Sequence, residues 1–133
     1  MPTELNKVYL NDYHQDNLAK FVPFAGYSMP INYDSGIIKE HIHVRKFAGV
    51  FDVSHMGQIL ITASKNNIKS LEKYIPLVLE NLKTNKSYYS FMLNEKGGVI
   101  DDLIISKILY ENTECFFIVY NAGSKKKDEE IFK

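Results

Sequence analysis

Asp101 and Asp102 stand side by side in Val99-Ile100-Asp101-Asp102-Leu103-Ile104-Ile105, an otherwise apolar run. Successive side chains of a strand point to opposite faces. A strand here sets Val99, Asp101, Leu103 and Ile105 on one face, and Ile100, Asp102, Ile104, Ser106 and Ile108 on the other. Aspartate is disfavoured in strands, and each face is apolar apart from its acid. At least one carboxylate then sits among hydrophobic neighbours, where an unpartnered anion is costly or takes up a proton. Such a break of local preference is where functional residues are expected. The alternative is a strand that starts only at Leu103, with both acids in the turn before it.

Other reactive residues form weaker patterns. His41 and His43 are two apart, which on a helix points them about 200° apart. No acid or cysteine completes a ligand set, so no metal site is expected. Asp52, Ser54 and His55 are the residue types of a hydrolase triad, but triads are assembled in space and not along four residues. A polar loop with local hydrogen bonds is the expectation for Asp52-Val53-Ser54-His55-Met56-Gly57. Gly97-Gly98 fits neither phosphate-loop pattern. Cys115 opens an apolar run and reads as a small buried hydrophobe. Lys125-Lys126-Lys127 reads as a solvated helix face.

The elements that carry these residues follow from periodicity and punctuation. Asn6 to Asn17 is irregular or a short helical start. Phe21 to Tyr27 is apolar but broken by Pro23 and Gly26, with Pro30 beyond, which predicts a loop with buried side chains. Ser35 is a candidate N-cap for a helix from Gly36 to Ala48, stopped by Gly49. Val50 to Asp52 reads as a short extended piece and Gln58 to Thr62 as a strand. Ile68, Leu71, Tyr74 and Ile75 suit an amphipathic helix that Pro76 ends, with Leu77 to Leu82 resuming it. Tyr88–Leu93, Val99–Leu109 and Cys115–Tyr120 form an antiparallel meander, turned at Asn94 to Gly98 and at Glu111 to Glu114. Ser124 can cap a last helix, but the chain stops just as Ile131 and Phe132 supply apolar residues. That leaves either a charged, disordered tail or a truncation. Helices and antiparallel strands in one chain predict an α+β domain.

Composition narrows the classes. Length suggests one domain, and 45% apolar residues suit a globular chain. No linker, repeat or low-complexity tract marks a boundary. Sixteen basic residues balance sixteen acidic ones, which argues against a nucleic-acid module that must neutralise phosphates. No apolar run reaches the roughly 18 residues of a membrane helix. Met1 to Leu10 lacks the apolar core of a secretory signal and the Arg/Ser richness of a mitochondrial transit peptide. A single cysteine permits no intrachain disulfide. A reducing, cytoplasmic setting is expected.

Five segments together resemble one family. They are Phe21-Val22-Pro23-Phe24-Ala25-Gly26-Tyr27-Ser28-Met29-Pro30, Ser35-Gly36-Ile37-Ile38-Lys39-Glu40-His41, Phe51-Asp52-Val53-Ser54-His55-Met56-Gly57, Asn94-Glu95-Lys96-Gly97-Gly98-Val99-Ile100-Asp101-Asp102-Leu103 and Val119-Tyr120-Asn121-Ala122. In this order and spacing they resemble the glycine cleavage system T protein, the aminomethyltransferase. Tyr27 stands where that family usually has Trp. The resemblance covers nearly the whole chain, 1–133, but about the first third of the family's usual length. It implies an incomplete, N-terminal part of the folate-binding T-protein fold, and a fragment expected to be inactive alone.

The resemblance also implies a reaction. The family takes an aminomethyl group from the lipoyl arm of the H protein and passes the one-carbon unit to tetrahydrofolate, releasing ammonia. The H protein is then a partner and tetrahydrofolate a substrate. The family's key carboxylate matches Asp102, implied as the catalytic residue. Tyr89, Asn121 and Met56 match positions lining the folate pocket, as a stacking ring, a hydrogen-bonding edge and an apolar wall. Two alternatives share the folate-binding resemblance. One is the folate domain of a sarcosine or dimethylglycine dehydrogenase; the other is a non-enzymatic folate-binding protein.

Overall fold

The structure is a computed structural model and describes residues 4–133. Residues 1–3 of the segment inspected for a leader lie outside the described residues. The architecture is α+β, as the periodicity predicts, and the chain divides into two compact units, one ending at His55 and the other running Met56–Lys133. No Gly- or Pro-rich linker separates His55 from Met56, so composition carries no sign of the division.

The first unit holds β1 (Asn6–Lys7), α1 (Asn11–Asp16), β2 (Lys20–Phe24), β3 (Tyr27–Asn32) and α2 (Ile37–Lys46). Its sheet has the order β1-β3-β2, with β1 parallel and β2 antiparallel to β3. The loop expected over Phe21 to Tyr27 is therefore a hairpin. Ala25 and Gly26 form its two-residue turn, both with positive φ (48° and 80°), the backbone that matches the twist of paired strands. The prolines do not break it, for a positional reason. Pro23 lies on edge strand β2, and β1 pairs only with Tyr27 and Ser28. At Pro30, β3 thus has a neighbour on one side only, where a missing N–H is tolerated.

Helix α2 is shorter than expected at both ends. Gly36 (φ 82°) is its N-cap without a side-chain capping bond, and Phe47 rather than Gly49 closes it. Ser35 Oγ instead donates to Glu40 Oε1 at 3.3 Å, an oxygen that also accepts the Tyr33 amide at 2.7 Å. No residue of α2 is buried. Val50 to Asp52 forms no strand.

The second unit holds β4 (Gly57–Thr62), α3 (Lys65–Leu71), a short 3-10 helix (Leu79–Asn81), β5 (Lys86–Leu93), β6 (Val99–Tyr110), β7 (Thr113–Tyr120) and α4 (Lys125–Phe132). The strands form one antiparallel sheet in the order β4-β7-β6-β5. The predicted meander is present, with its second turn tightened to Glu111 and Asn112, both at positive φ. Ser64 caps α3 by accepting the Asn67 amide at 3.2 Å. The helix ends at Leu71, and Ile75 reaches the core from the turns that follow. Only a single 3-10 turn forms where a resumed helix was expected over Leu77 to Leu82.

One face of this sheet makes the core. Met92, Leu103, Ile105, Phe116, Ile118 and Tyr120 pack with Ile68, Leu71, Ile75 and Leu79, and Ile131 and Phe132 of α4 pack against them. Of the two alternatives for this segment, the disordered tail gives way to a docked helix. Its apolar end arrives in time because Phe132 meets Tyr120 ring to ring at 5.4 Å. The opposite face carries Leu60, Tyr89, Phe91 and Ile104, all exposed.

Candidate functional site

Strand β6 begins at Val99, so both acids belong to the strand and not to the turn before it. The loop Asn94 to Gly98 turns the chain into β6. Asn94 Oδ1 accepts the Lys96 and Gly98 amides, each at 2.9 Å, and Gly97 takes a positive φ of 77° that a side chain would resist. Opposite Met92 and Leu93 the register slips around Ile100, a bulge of the kind that re-aims side chains near functional sites.

Alternation then separates the acids. Asp101 lies on the side of Leu103 and Ile105, whereas Asp102 shares the open face with exposed Ile104. The side chain of Asn121, just beyond β7, joins them. Its Nδ2 donates to Asp101 Oδ1 at 2.8 Å and to Asp102 Oδ1 at 2.9 Å, with Asp102 O at 3.3 Å. Two carboxylates offer only acceptors, so the amide must present its nitrogen to them. Asp101 Oδ1 also accepts the Asp102 amide at 2.9 Å. Burial drives the Asp101 pKa up, but hydrogen bonds from Asn121, Asp128 and the Asp102 amide outweigh it, and Asp101 titrates below the ordinary range.

Tyr89 lies on β5 opposite Ile104, with its ring edge-on to Phe91 at 5.4 Å. Desolvation, then the neighbouring Asp102 carboxylate, raises the pKa of its hydroxyl. An exposed aromatic ring beside a carboxylate offers a flat apolar surface next to a fixed charge. Met56 stands one residue before Gly57, which pairs with Tyr120. Tyr120 also pairs with Leu103. Met56 and Asn121, just outside their strands, therefore lie beside Asp102 at the same end of the sheet. Lys125 Nζ donates to the Met56 carbonyl at 3.5 Å. Gly57 is required there, because a Cβ would collide with the Tyr120 ring.

Sequence reasoning missed Asp128. It lies in α4 within the charged run expected to face water, yet its side chain is fully buried. Burial, then the neighbouring Asp101, pushes its pKa up to about 7. The available signal was the i, i+3 and i, i+4 relation of Asp128 to Ile131 and Phe132, which places it on the apolar face.

The other reactive patterns dissolve into structure. Ser54 Oγ accepts the Tyr9 amide at 2.7 Å, and Asp52 accepts the Ser54 and Leu10 amides at 2.9 and 2.8 Å. His55 packs ring edges on Phe24 and Tyr27. No triad forms; His14 approaches Asp52 instead, at 3.5 Å. Cys115 is buried, as expected. Among the described residues there is no group of three or more potential metal ligands. An open cavity of about 820 Å³ lies in the first unit, lined by Met29, Ile37, Val44, Val50 and Phe51 among others. It is mostly apolar, contains none of Met56, Tyr89, Asp102 and Asn121, and its buried acid Asp52 is already saturated with donors. Size alone therefore does not mark it as the chemical site.

Comparison with known proteins agrees with the motifs. Residues 10–133 match the GCVT N-terminal domain. A mitochondrial aminomethyltransferase of Dictyostelium discoideum is 45% identical over 125 residues, covering 94% of this chain and 30% of that protein. An aminomethyltransferase of Clostridium botulinum (strain Okra) is 42% identical over 129 residues, covering 94% and 32%. The crystal structure of the glycine cleavage system aminomethyltransferase T from Bartonella henselae superposes with a TM-score of 0.86 at 38% identity, over 96% of this chain and 35% of that one. The chain thus spans about a third of the length of the relatives it matches. With the match spanning nearly all of the sequence, the chain belongs to the GCVT N-terminal domain family.

Proposed function

We propose that this chain supplies the folate-binding N-terminal part of an aminomethyltransferase of the glycine cleavage system. The reaction moves a one-carbon unit from the aminomethyl-lipoyl arm of the H protein to tetrahydrofolate and releases ammonia. The observation that carries the reading is the Asp102–Asn121–Tyr89 constellation on an open sheet face, in a chain whose relatives are named aminomethyltransferases. Asp102 is the catalytic carboxylate. Held by Asn121, it orients a folate N–H and stabilises the positive charge that develops as the amine leaves. It is also placed to assist proton transfer. Tyr89 supplies a surface for the folate ring, Asn121 a polar edge and Met56 an apolar wall.

A reducing, cytoplasmic setting is supported by the single buried thiol. Among the described residues no helix is long and apolar enough to cross a membrane.

Tetrahydrofolate titrated calorimetrically into the chain should give binding that Asp102→Ala removes. Transfer from the aminomethyl-loaded H protein, with the remaining family segments supplied as a second polypeptide, should fall about 100- to 1,000-fold in the same variant. Near-normal transfer in Asp102→Ala would sink the assignment. Binding without any transfer would favour a non-enzymatic folate-binding protein.

A further inference from the structure

Asp128 has no part in the reaction outlined above, and its surroundings are the least expected in the chain. Neither of its carboxyl oxygens meets an N–H or O–H donor, and Asp101 Oδ2 is in the same condition. All three oxygens are buried without a partner, and the two carboxyl groups adjoin, each acting on the other's titration. A bond between two carboxyl groups requires that one of them hold a proton. The surroundings decide which. Asp101 Oδ1 accepts N–H groups from Asn121 and from the Asp102 backbone, and both favour the anion. Asp128 accepts none, so the proton belongs to Asp128. Burial and the facing Asp101 raise its pKa to about 7, opposed by Lys127.

The charged and titratable groups around Asp128 are few. Asp101 faces it from β6 and Tyr120 from β7, while Lys127 and Glu129 flank it on α4. Burial, with Glu129 beside its hydroxyl, pushes Tyr120 up to about 12. Tyr120 therefore stays neutral while Asp128 titrates.

We propose that Asp128 is a positioning residue: as the neutral acid it donates its proton to Asp101, which holds Asp101 as the anion that orients the Asn121 amide and, through it, Asp102. The amide nitrogen has two hydrogens, and each carboxylate takes one. Loss of the Asp128 proton leaves two buried anions in contact, and their repulsion pulls Asp101 away from the amide. The site is then aligned below neutrality and loosened above it. This inference rests on the reading of Asp102 as the substrate-facing carboxylate, and the two fail separately in the test.

The first arm needs no folate. Aspartate carboxyl carbons and asparagine side-chain amides of the chain are followed by NMR from about pH 5 to about pH 9. The Asp128 carboxyl should titrate near neutrality, and the Asn121 amide pair should shift with the same midpoint. Asp128→Asn, a permanently neutral donor, should abolish that transition and keep the Asn121 signals at their low-pH positions. Asp128→Leu should displace them at every pH; if that variant does not fold, the other two forms still decide. Titration of Asp128 with ordinary carboxylates overturns the proposal. So does an Asn121 pair that stays still while Asp128 ionises, or a transition that survives in Asp128→Asn.

The second arm is tetrahydrofolate calorimetry on either side of neutrality. Affinity should fall about tenfold on the alkaline side in the native chain and stay level in Asp128→Asn. Binding that is independent of pH in the native chain overturns the proposal. Absence of binding at either pH, with the NMR coupling intact, overturns the folate reading and leaves the link between Asp128 and Asn121 standing.

Discussion

Each of the two units buries aspartate, and the outcomes are opposite. In the first unit, Asp52 accepts the Leu10 and Ser54 amides, and His14 approaches it. Burial alone would raise its pKa, but the Ser54 hydroxyl, those amides and His14 outweigh it and bring it down to about 2. In the second unit, Asp128 has no donor except a proton of its own, and rises to about 7. The two acids share a residue type and near-complete burial of the side chain. Donor supply alone separates them. A saturated carboxylate ties loops together and has no capacity left. A starved one, beside a neighbour that is itself tied through Asn121 to Asp102, is placed to influence the proposed site.

That contrast breaks first at Asp102. In a transfer assay with the missing segments supplied, Asp102→Ala should lower the rate by about 100- to 1,000-fold, the scale of losing one preorganised electrostatic contact. Its thermal unfolding should hardly change, because the side chain faces the open side of the sheet. A stability loss equal to that of a core substitution would put Asp102 in the class of Asp52.

Asp52→Ala should do the reverse. It strands two backbone amides and should cost about 1–3 kcal/mol in denaturant unfolding, while tetrahydrofolate binding by the second unit persists. Gly57→Ala forces a methyl group into the Tyr120 ring and should cost a similar amount, about 1–3 kcal/mol by overpacking. An unchanged midpoint would mean that Tyr120 can swing aside.

The pH profile of stability sharpens the same contrast through its two signs. Asp52 has a folded pKa below its unfolded value, so its contribution is present above about pH 4 and is lost as pH falls through about 2. Asp128 has a folded pKa above its unfolded value, so its contribution is present below about pH 4 and is lost as pH rises through about 7. Melting temperatures should decline on both flanks, and Asp128→Asn should flatten only the alkaline one. Flattening on the acid side instead would reverse the assignment. The smallest effect belongs to Tyr89→Phe, which keeps the ring and removes the hydroxyl neighbouring Asp102. Folate binding should weaken only modestly in calorimetry, whereas Tyr89→Ala should weaken it much more.

Much of this was legible along the chain, and what was not has physical causes. The meander was readable because alternating apolar runs and turn residues are local signals. The hairpin at Ala25–Gly26 was not, because its prolines mean something different on strands with a free side, and strand order is a property of the sheet. Helix α2 was readable in its middle but not at its ends, because Ser35 finds Glu40 instead of a helix amide. Asp102, Tyr89, Asn121 and Met56 could be named from the family resemblance. Their convergence depends on register across four strands, which no segment carries alone.

The sequence by itself determined that Asp101 and Asp102, if both lie in a strand, must point to opposite faces, because alternation is built into the strand backbone; that the strand begins at Val99 was decided by the structure. It also determined the α+β elements and the motifs that identify the family. Only the tertiary structure decided which acid faces the core, and that Asp128 would meet it there. Alternation sets directions relative to one another, whereas desolvation depends on what packs on each side. A charged run in α4 becomes a buried acid only because Ile131 and Phe132 dock that helix against the sheet.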